Sequence, residues 1–470
     1  MVFSSLLFLL GFLPVFGVCV IITRKRIDLQ NSALIALSLF FYALGEPVYV
    51  GLMLLSVCLN YGSALIIERT TDRYWKDATL YVSVIINLGI LGLFKYAAFF
   101  VDIVNNLTGL AIGFVGYTLP IGISFYTFQA LSYTIDVYRG EVKAQTRFSH
   151  VLMYIVLFPQ LIAGPIVRYT DIQREIINRT LTWVSMSEGI VRFTIGLFKK
   201  VCLANPLGEQ ANLWLGVPVT ESSILGGWWG LVCFGLQIYF DFSGYSDMAI
   251  GLGKMMGFTF PENFRYPYIS RSVSEFWRRW HMTLGSFFRD YVYIPLGGNR
   301  RFPYRNLVVV WLLTGLWHGA NWNFILWGLF YGLFIGLEKA GVLAILQRMP
   351  IVIGHLYLLY VTLIGWSLFY FTDIVHIFRF WELLHGLTSA PYSDFRLETA
   401  VQSNFLLLAV ALVACLPVYP AVLVPLYDTW NRRFRGVLQF SIWVGGVLLL
   451  MCSIALLVNQ SYNPFIYFRF

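Results

Sequence analysis

Two histidines stand in settings unlike those of the chain's other four. His281 closes the run Phe276-Trp277-Arg278-Arg279-Trp280-His281, and His318 lies in Trp317-His318-Gly319-Ala320-Asn321-Trp322, both within the segment 274–323. A neutral imidazole can take the proton of a hydroxyl as that hydroxyl attacks an ester or thioester, and its ordinary pKa near neutrality suits the task. The sequence has no GxSxG elbow and no Ser-His-Asp ordering, so a covalent serine mechanism has little support. Direct transfer of an acyl group to an acceptor hydroxyl, with His318 as base, fits better. The competing reading of His318 is a satisfied structural histidine, and that of His281, beside its arginines, is an interfacial anchor. His150, His355, His376 and His385 have no comparable setting and read as structural or surface residues.

A second polar cluster, Gln237-Ile238-Tyr239-Phe240-Asp241-Phe242-Ser243-Gly244-Tyr245-Ser246-Asp247, sets two carboxylates and four hydroxyls into apolar sequence. A carboxylate facing lipid is costly, so Asp241 and Asp247 must face the protein and be paired or hydrogen-bonded. Six residues apart, they do not share a helical face, which argues against a two-carboxylate acid/base pair. A third run, residues 119–129, mixes Ser124, Tyr126 and Gln129 into an apolar helix; close helix packing and cavity lining explain it equally well.

The elements that must position these residues are membrane helices. With 58% hydrophobic and 12% charged residues over 470 positions, the chain is far more apolar than a soluble protein. No polar stretch is long enough for a soluble domain, so a single membrane domain over 1–470 is expected. The net charge of +9 is scattered through short loops, which orientation in a bilayer explains better than nucleic-acid binding. The six cysteines lie singly in apolar runs, without metal-ligand spacing, so no metal site is expected. The apolar run 3–23 is too long for a signal-peptide core and is followed, not preceded, by Arg24-Lys25-Arg26; it reads as a retained first helix with its N-terminus outside.

Further spans are expected at 31–44, 48–67, 80–93, 97–111, 119–133, 151–166 and 183–198. Several are shorter than the roughly 20 residues of a straight crossing, which predicts tilted, broken or re-entrant helices. Two prolines and a glycine in Phe158-Pro159-Gln160-Leu161-Ile162-Ala163-Gly164-Pro165 require a break. Asp136, Arg139, Glu141 and Lys143 mark an aqueous loop. Residues 274–289 carry apolar residues at helical spacing, predicting an amphipathic interfacial helix with Ser274 as N-cap. After the basic turn Gly297-Gly298-Asn299-Arg300-Arg301, residues 306–316 form only 11 positions of helix, about 16 Å, which brings His318 to a turn near the membrane midplane. The next run, 322–337, ends at Glu338-Lys339, so both flanks of that turn read as cytoplasmic. Later runs fall at 351–371, 374–385, 404–426 and 438–458, with 392–402 outside, 431–435 inside and the tail 459–470 outside.

These motifs together resemble the membrane-bound O-acyltransferase superfamily, in its bacterial AlgI/DltB-like branch, and are nearer in wording to the alginate O-acetyltransferases than to the D-alanyl transferases. The specific pieces are Gly122-Ile123-Ser124-Phe125-Tyr126-Thr127-Phe128-Gln129, the 158–165 run, the 241–247 run, the 276–281 run and Trp317-His318-Gly319. The resemblance implies an all-α polytopic membrane fold, a helical ring with broken, tilted and re-entrant helices around a central tunnel. It implies catalysis by His318, assisted by His281, with Ser124, Tyr126, Gln129, Tyr239, Asp241, Ser243, Trp277, Arg279, Trp317 and Asn321 as tunnel candidates. It implies no bound cofactor, and acetyl-CoA or an acyl-carrier-protein thioester as the cytoplasmic donor. An extracytoplasmic polysaccharide or an SGNH-type acyltransferase partner would receive the group, at the bacterial cytoplasmic membrane. The alternatives are D-alanyl transfer to teichoic acid from a carrier protein, a transporter or channel built on Asp241 and Asp247, and a scaffold for an external enzyme.

Overall fold

In the computed structural model, residues 2–418, 432–459, 462–464 and 466 are described, and among them every regular element is helical. Six of the described helices have the length and apolarity to cross a membrane: Val50–Arg69, Arg73–Lys95, Trp322–Arg348, Ile351–Tyr370, Phe395–Ala414 and Phe440–Asn459. The protein is therefore an all-α, multi-pass membrane protein. Residues 419–431, and the side chains at 432–435, lie outside the described residues, and with them the end of the 404–426 run and the basic loop expected inside. Most of the tail at 459–470 is likewise outside them.

The chain divides into two compact units, Met1–Phe193 with Tyr245–Glu262, and Thr194–Gly244 with Asn263–Phe470. The first begins with a π-turn, Leu7–Phe12, running into α1 (Leu13–Thr23), then α2 (Ile27–Ala43), α3 (Val50–Arg69), α4 (Arg73–Lys95) and α5 (Ala97–Thr108). These follow the runs expected from the sequence: α2, α3 and α4 extend into polar sequence, whereas the first begins at Leu7 instead of residue 3 and α5 stops at Thr108, short of 111, where Gly109 turns to positive φ. Asp72 explains one extension, because its carboxylate accepts the Tyr74 N–H at 2.8 Å and caps α4 seven residues before the apolar run starts. After α6 (Ile123–Arg139), the 148–177 region is broken into α7 (Phe148–Val156), α8 (Phe158–Leu161) and α9 (Tyr169–Ile177). The expected break falls at Leu157, two residues before Pro159, where ψ swings to 111°. Gly122 turns into α6 at φ +77°, and a Cβ there would lie 2.4 Å from the Leu161 carbonyl oxygen. Only glycine lets the turn abut the broken segment. Asp136, expected in an aqueous loop, is instead fully buried, because α6 continues to Arg139.

A buried polar knot joins α3, α4 and α6. Asn60 Oδ1 accepts from Thr134 Oγ1 at 2.8 Å, Asn87 Nδ2 at 3.2 Å and Ser83 Oγ at 3.3 Å, while Asn60 Nδ2 donates to Asn87 Oδ1 at 3.0 Å. Between membrane helices, where apolar burial gives little net attraction, such bonds and close packing hold neighbours together.

The second unit continues from α10 (Trp183–Phe198) through a π-turn to α11 (Asn205–Leu215) and α12 (Ile224–Met256), both α10 and α12 running across the unit boundary in sequence. It then contains α13 (Val273–Trp277), α14 (Met282–Phe288), α15 (Pro303–His318), α16 (Trp322–Leu337), α17 (Leu343–Arg348), α18 (Ile351–Tyr370), α19 (Ile374–Leu384), α20 (Phe395–Ala414) and α21 (Arg432–Asn459). Its core is a continuous aromatic and aliphatic cluster that includes Tyr239, Phe276, Trp280, Trp311, Trp327, Tyr331, Trp366 and Phe369.

Asn60→Ala is expected to leave three donors without their shared acceptor and to destabilise the first unit by about 1–2 kcal/mol. Thermal unfolding in detergent, set against Ser32→Ala on the exposed face of α2, measures it.

Candidate active site

The single interfacial helix expected over 274–289 does not form. Its N-cap is Ser272, whose hydroxyl accepts the Glu275 N–H at 3.1 Å, not Ser274. α13 stops at Trp277, and His281 adopts a left-handed backbone at φ +45° before α14 begins. Two constraints override the helical spacing. At the start, the buried Glu338 carboxylate accepts the Val273 and Ser274 N–H groups at 2.6 and 2.8 Å and the Tyr357 hydroxyl at 3.2 Å, a negative charge seated at a helix N-terminus. Glu338, read from sequence as a loop residue, is thus an internal lock. At the far end, Asn263 draws the chain aside: its backbone carbonyl accepts from Met282 N–H at 2.9 Å, and its Oδ1 accepts from Thr283 N–H at 3.2 Å and Thr283 Oγ1 at 2.9 Å.

The same Asn263 Oδ1 lies 3.2 Å from His281 Nδ1. The Thr283 N–H can only donate, which identifies the Asn263 atom as the oxygen. His281 therefore carries its proton on Nδ1 and leaves the Nε2 lone pair available. Burial pushes the imidazole pKa down to about 3, so the ring is neutral at physiological pH. A non-glycine residue held at positive φ is a strained arrangement of the kind that accumulates at functional sites.

α15 is longer than expected, 16 residues from Pro303 and about 24 Å at helical rise. The reason is local: Pro303 is pre-set for the first helical turn, and the buried Asn306 amide donates to the Gly298 and Arg301 carbonyls at 3.0 and 2.7 Å, winding the basic turn onto the helix start. His318 is the last residue of α15, and Gly319 leaves the helix in extended conformation. α15 and α16 form a hairpin with unusually close backbones. A Cβ at Gly315 would lie 2.3 Å from the Phe324 carbonyl oxygen, and one at Gly328 would lie 2.2 Å from the Trp311 carbonyl oxygen. This glycine seam brings α16 side chains over the end of α15.

His318 is consequently enclosed by rings. Its imidazole centroid lies 4.9 Å from Trp317, 4.8 Å from Trp327 and 5.1 Å from Phe369, each close to edge-on. Trp317 also meets His281, at 5.7 Å, so one indole contacts both histidines. Trp277 packs against Trp327 at 5.5 Å, and Tyr239 against Trp280 at 6.1 Å, forming adjoining walls.

The other expected residues are distributed differently. Ser124, Tyr126 and Gln129 are buried in α6 of the first unit. Arg279 is bound to Glu275 at 2.9 Å. Asn321 is the residue before α16 and half-buried, and Ser243 is buried in α12. Both carboxylates are engaged: Asp241 with Lys200 at 2.6 Å, and Asp247 with Arg192 at 2.6 Å. Asp241 also accepts the Ile466 N–H at 2.9 Å, while Lys200 donates to the Pro464 carbonyl, so the buried pair holds the backbone at Pro464 and at Ile466. Each carboxylate thus has the partner that its burial requires. Sequence reading missed Asn263, Trp327, Phe369, Lys200 and Glu338. Only Lys200 and Glu338, charged residues at the ends of apolar runs, carried a signal in sequence.

The signature of the MBOAT, membrane-bound O-acyltransferase family matches residues 145–369, which include both histidines. The chain is 36% identical to the probable alginate O-acetylase AlgI of Azotobacter vinelandii, with 100% of each chain covered. It is 36% identical to the peptidoglycan O-acetyltransferase of Helicobacter pylori over 72% of this chain and 71% of that one. Against the teichoic acid D-alanyltransferase of Bacillus subtilis, identity is 29% over 46% and 58%. The chain belongs to the membrane-bound O-acyltransferase family and is an O-acyltransferase.

Gly328→Ala is expected to force α15 and α16 apart and to abolish acyl transfer while the protein still reaches the membrane; activity at matched membrane abundance measures it. Asp241→Asn leaves the Lys200 ammonium buried without its counter-charge and is expected to cost about 3–5 kcal/mol. The double variant Asp241→Leu with Lys200→Met should recover most of that stability, as measured by thermal unfolding in detergent.

Proposed function

We propose that this member of the membrane-bound O-acyltransferase family passes an acyl group, an acetyl group in the simplest case, from a cytoplasmic thioester to hydroxyls outside the membrane, on a polysaccharide or on a partner protein that completes the transfer. The observation that carries this reading is His318, buried at the C-terminal end of α15 in a cage of Trp317, Trp327 and Phe369.

In this reading His318 accepts the proton of the attacking hydroxyl as its oxygen bonds to the acyl carbon. The helix terminus stabilises the imidazolium so formed, and the surrounding rings exclude water that would hydrolyse the thioester. His281, fixed by Asn263, supports the site through Trp317. The donor, acetyl-CoA or an acyl-carrier-protein thioester, is a substrate, and no cofactor is required. Acetyl transfer is favoured over D-alanyl transfer because the full-length similarity is to an acetylase, whereas the D-alanyltransferase covers less than half of this chain. An exopolysaccharide or cell-wall polymer and an SGNH-type extracytoplasmic acyltransferase are the corresponding acceptor and partner. The basic loops at Arg24-Lys25-Arg26 and Arg300-Arg301 favour a cytoplasmic-membrane protein with both on the inner face and the N-terminus outside.

Mass spectrometry of extracellular and wall polysaccharide, with and without the gene, is expected to show base-labile acyl esters only when the gene is present. His318→Ala should lower their amount by at least 100-fold at unchanged membrane abundance, and wild-type esterification by that variant would overturn the catalytic assignment. Single cysteines at positions 25 and 300 should resist a membrane-impermeant maleimide in intact cells; labelling there would reverse the orientation.

A further inference from the structure

One donor beside His318 is unaccounted for. The Trp327 side chain is only 1% exposed, and its indole N–H has no hydrogen-bond partner among the described residues. Buried indole N–H groups normally find one, because an unpaired donor in an apolar interior is costly. The ring is also held in place. Next to it, Gly328 seats the α16 backbone against the Trp311 carbonyl of α15. One turn earlier on the same helical face, the Asn323 amide donates to the Leu368 carbonyl at 3.1 Å, tying α16 to α18 beside Phe369. A buried donor that the protein leaves unsatisfied, with its ring 4.8 Å from that of the base, has the properties required to meet charge that appears only during reaction.

Acyl transfer creates such charge. When the acceptor hydroxyl oxygen bonds to the thioester carbon, the carbonyl π pair moves onto its oxygen and the hydroxyl proton goes to His318. As the carbonyl re-forms, the C–S bond breaks, its electron pair leaves on sulfur, and the proton passes from His318 to the thiolate. The products are an ester and a free thiol. We propose that the Trp327 indole N–H donates a hydrogen bond to the carbonyl oxygen while it carries negative charge, which makes Trp327 a catalytic residue of the transfer. This rests on His318 being the base.

The test replaces Trp327 with 3-benzothienylalanine, which keeps the bicyclic ring but carries sulfur in place of N–H, and separately makes Trp327→Phe. Trp229→Phe is the reference: Trp229 is also buried with an unpartnered indole N–H, near the start of α12. The readout is the initial rate of base-labile ester deposition on extracellular polysaccharide per unit of membrane protein, with His318→Ala alongside. Both Trp327 variants are expected to lose roughly 100-fold, and Trp229→Phe less than twofold. Deposition by the benzothienylalanine protein within threefold of wild type overturns the proposal, and the benzothienylalanine arm decides the matter if Trp327→Phe fails to fold. Full activity of His318→Ala would instead remove the base assignment and the proposal with it; loss in His318→Ala with retention in both Trp327 variants removes the donor role alone.

Discussion

The close crossing of α15 and α16 is the constraint on which the surroundings of His318 depend. Carbonyl oxygens of Phe324 and Trp311 occupy the space that side chains at Gly315 and Gly328 would need. In a membrane, apolar side chains gain little by leaving lipid for one another, so helices that must stay registered do so through close backbones and a few polar bonds. Here the close approach fixes the height of α16 against α15. It thereby sets Trp327 over His318 and lets α18 add Phe369 to the same enclosure.

Polar residues supply the remaining locks, and each lies where its loss would leave a partner stranded. Glu338 holds the start of α13, Asn263 holds the bend at His281, and the Lys200–Asp241 pair holds the backbone at Pro464 and Ile466. The Asn60 knot does the same among α3, α4 and α6. Such groups contribute modestly when satisfied and cost much more when half-satisfied, so they specify one arrangement more than they add to stability. The two histidines differ in the same terms. His281 is a neutral ring on a left-handed backbone with its tautomer imposed by Asn263, whereas His318 ends α15 among the rings of Trp317, Trp327 and Phe369.

Much of this was legible in the sequence because it depends on local composition. Apolar runs of spanning length, the break at Pro159, the need to pair Asp241 and Asp247, and the unusual setting of His281 and His318 all follow from residue type and spacing. The same local logic misread residues 274–289, where helical periodicity is present but Glu338 and Asn263, distant in sequence, impose a cap and a bend. It also shortened α15, because hydropathy sees the apolar stretch and not the Pro303 start or the Asn306 bonds that wind the polar turn onto it.

By itself, then, the sequence determined that this is a helical membrane protein and singled out two tryptophan-flanked histidines as the candidate site, since lipid burial and charge cost act on each segment separately. Only the tertiary structure decided which residues serve those histidines. Trp327, Phe369 and Asn263 carry no distinguishing neighbours in sequence, and their roles arise from a glycine seam and from hydrogen bonds between distant segments. Those depend on backbone approach and direction in three dimensions, which residue spacing along one chain does not encode.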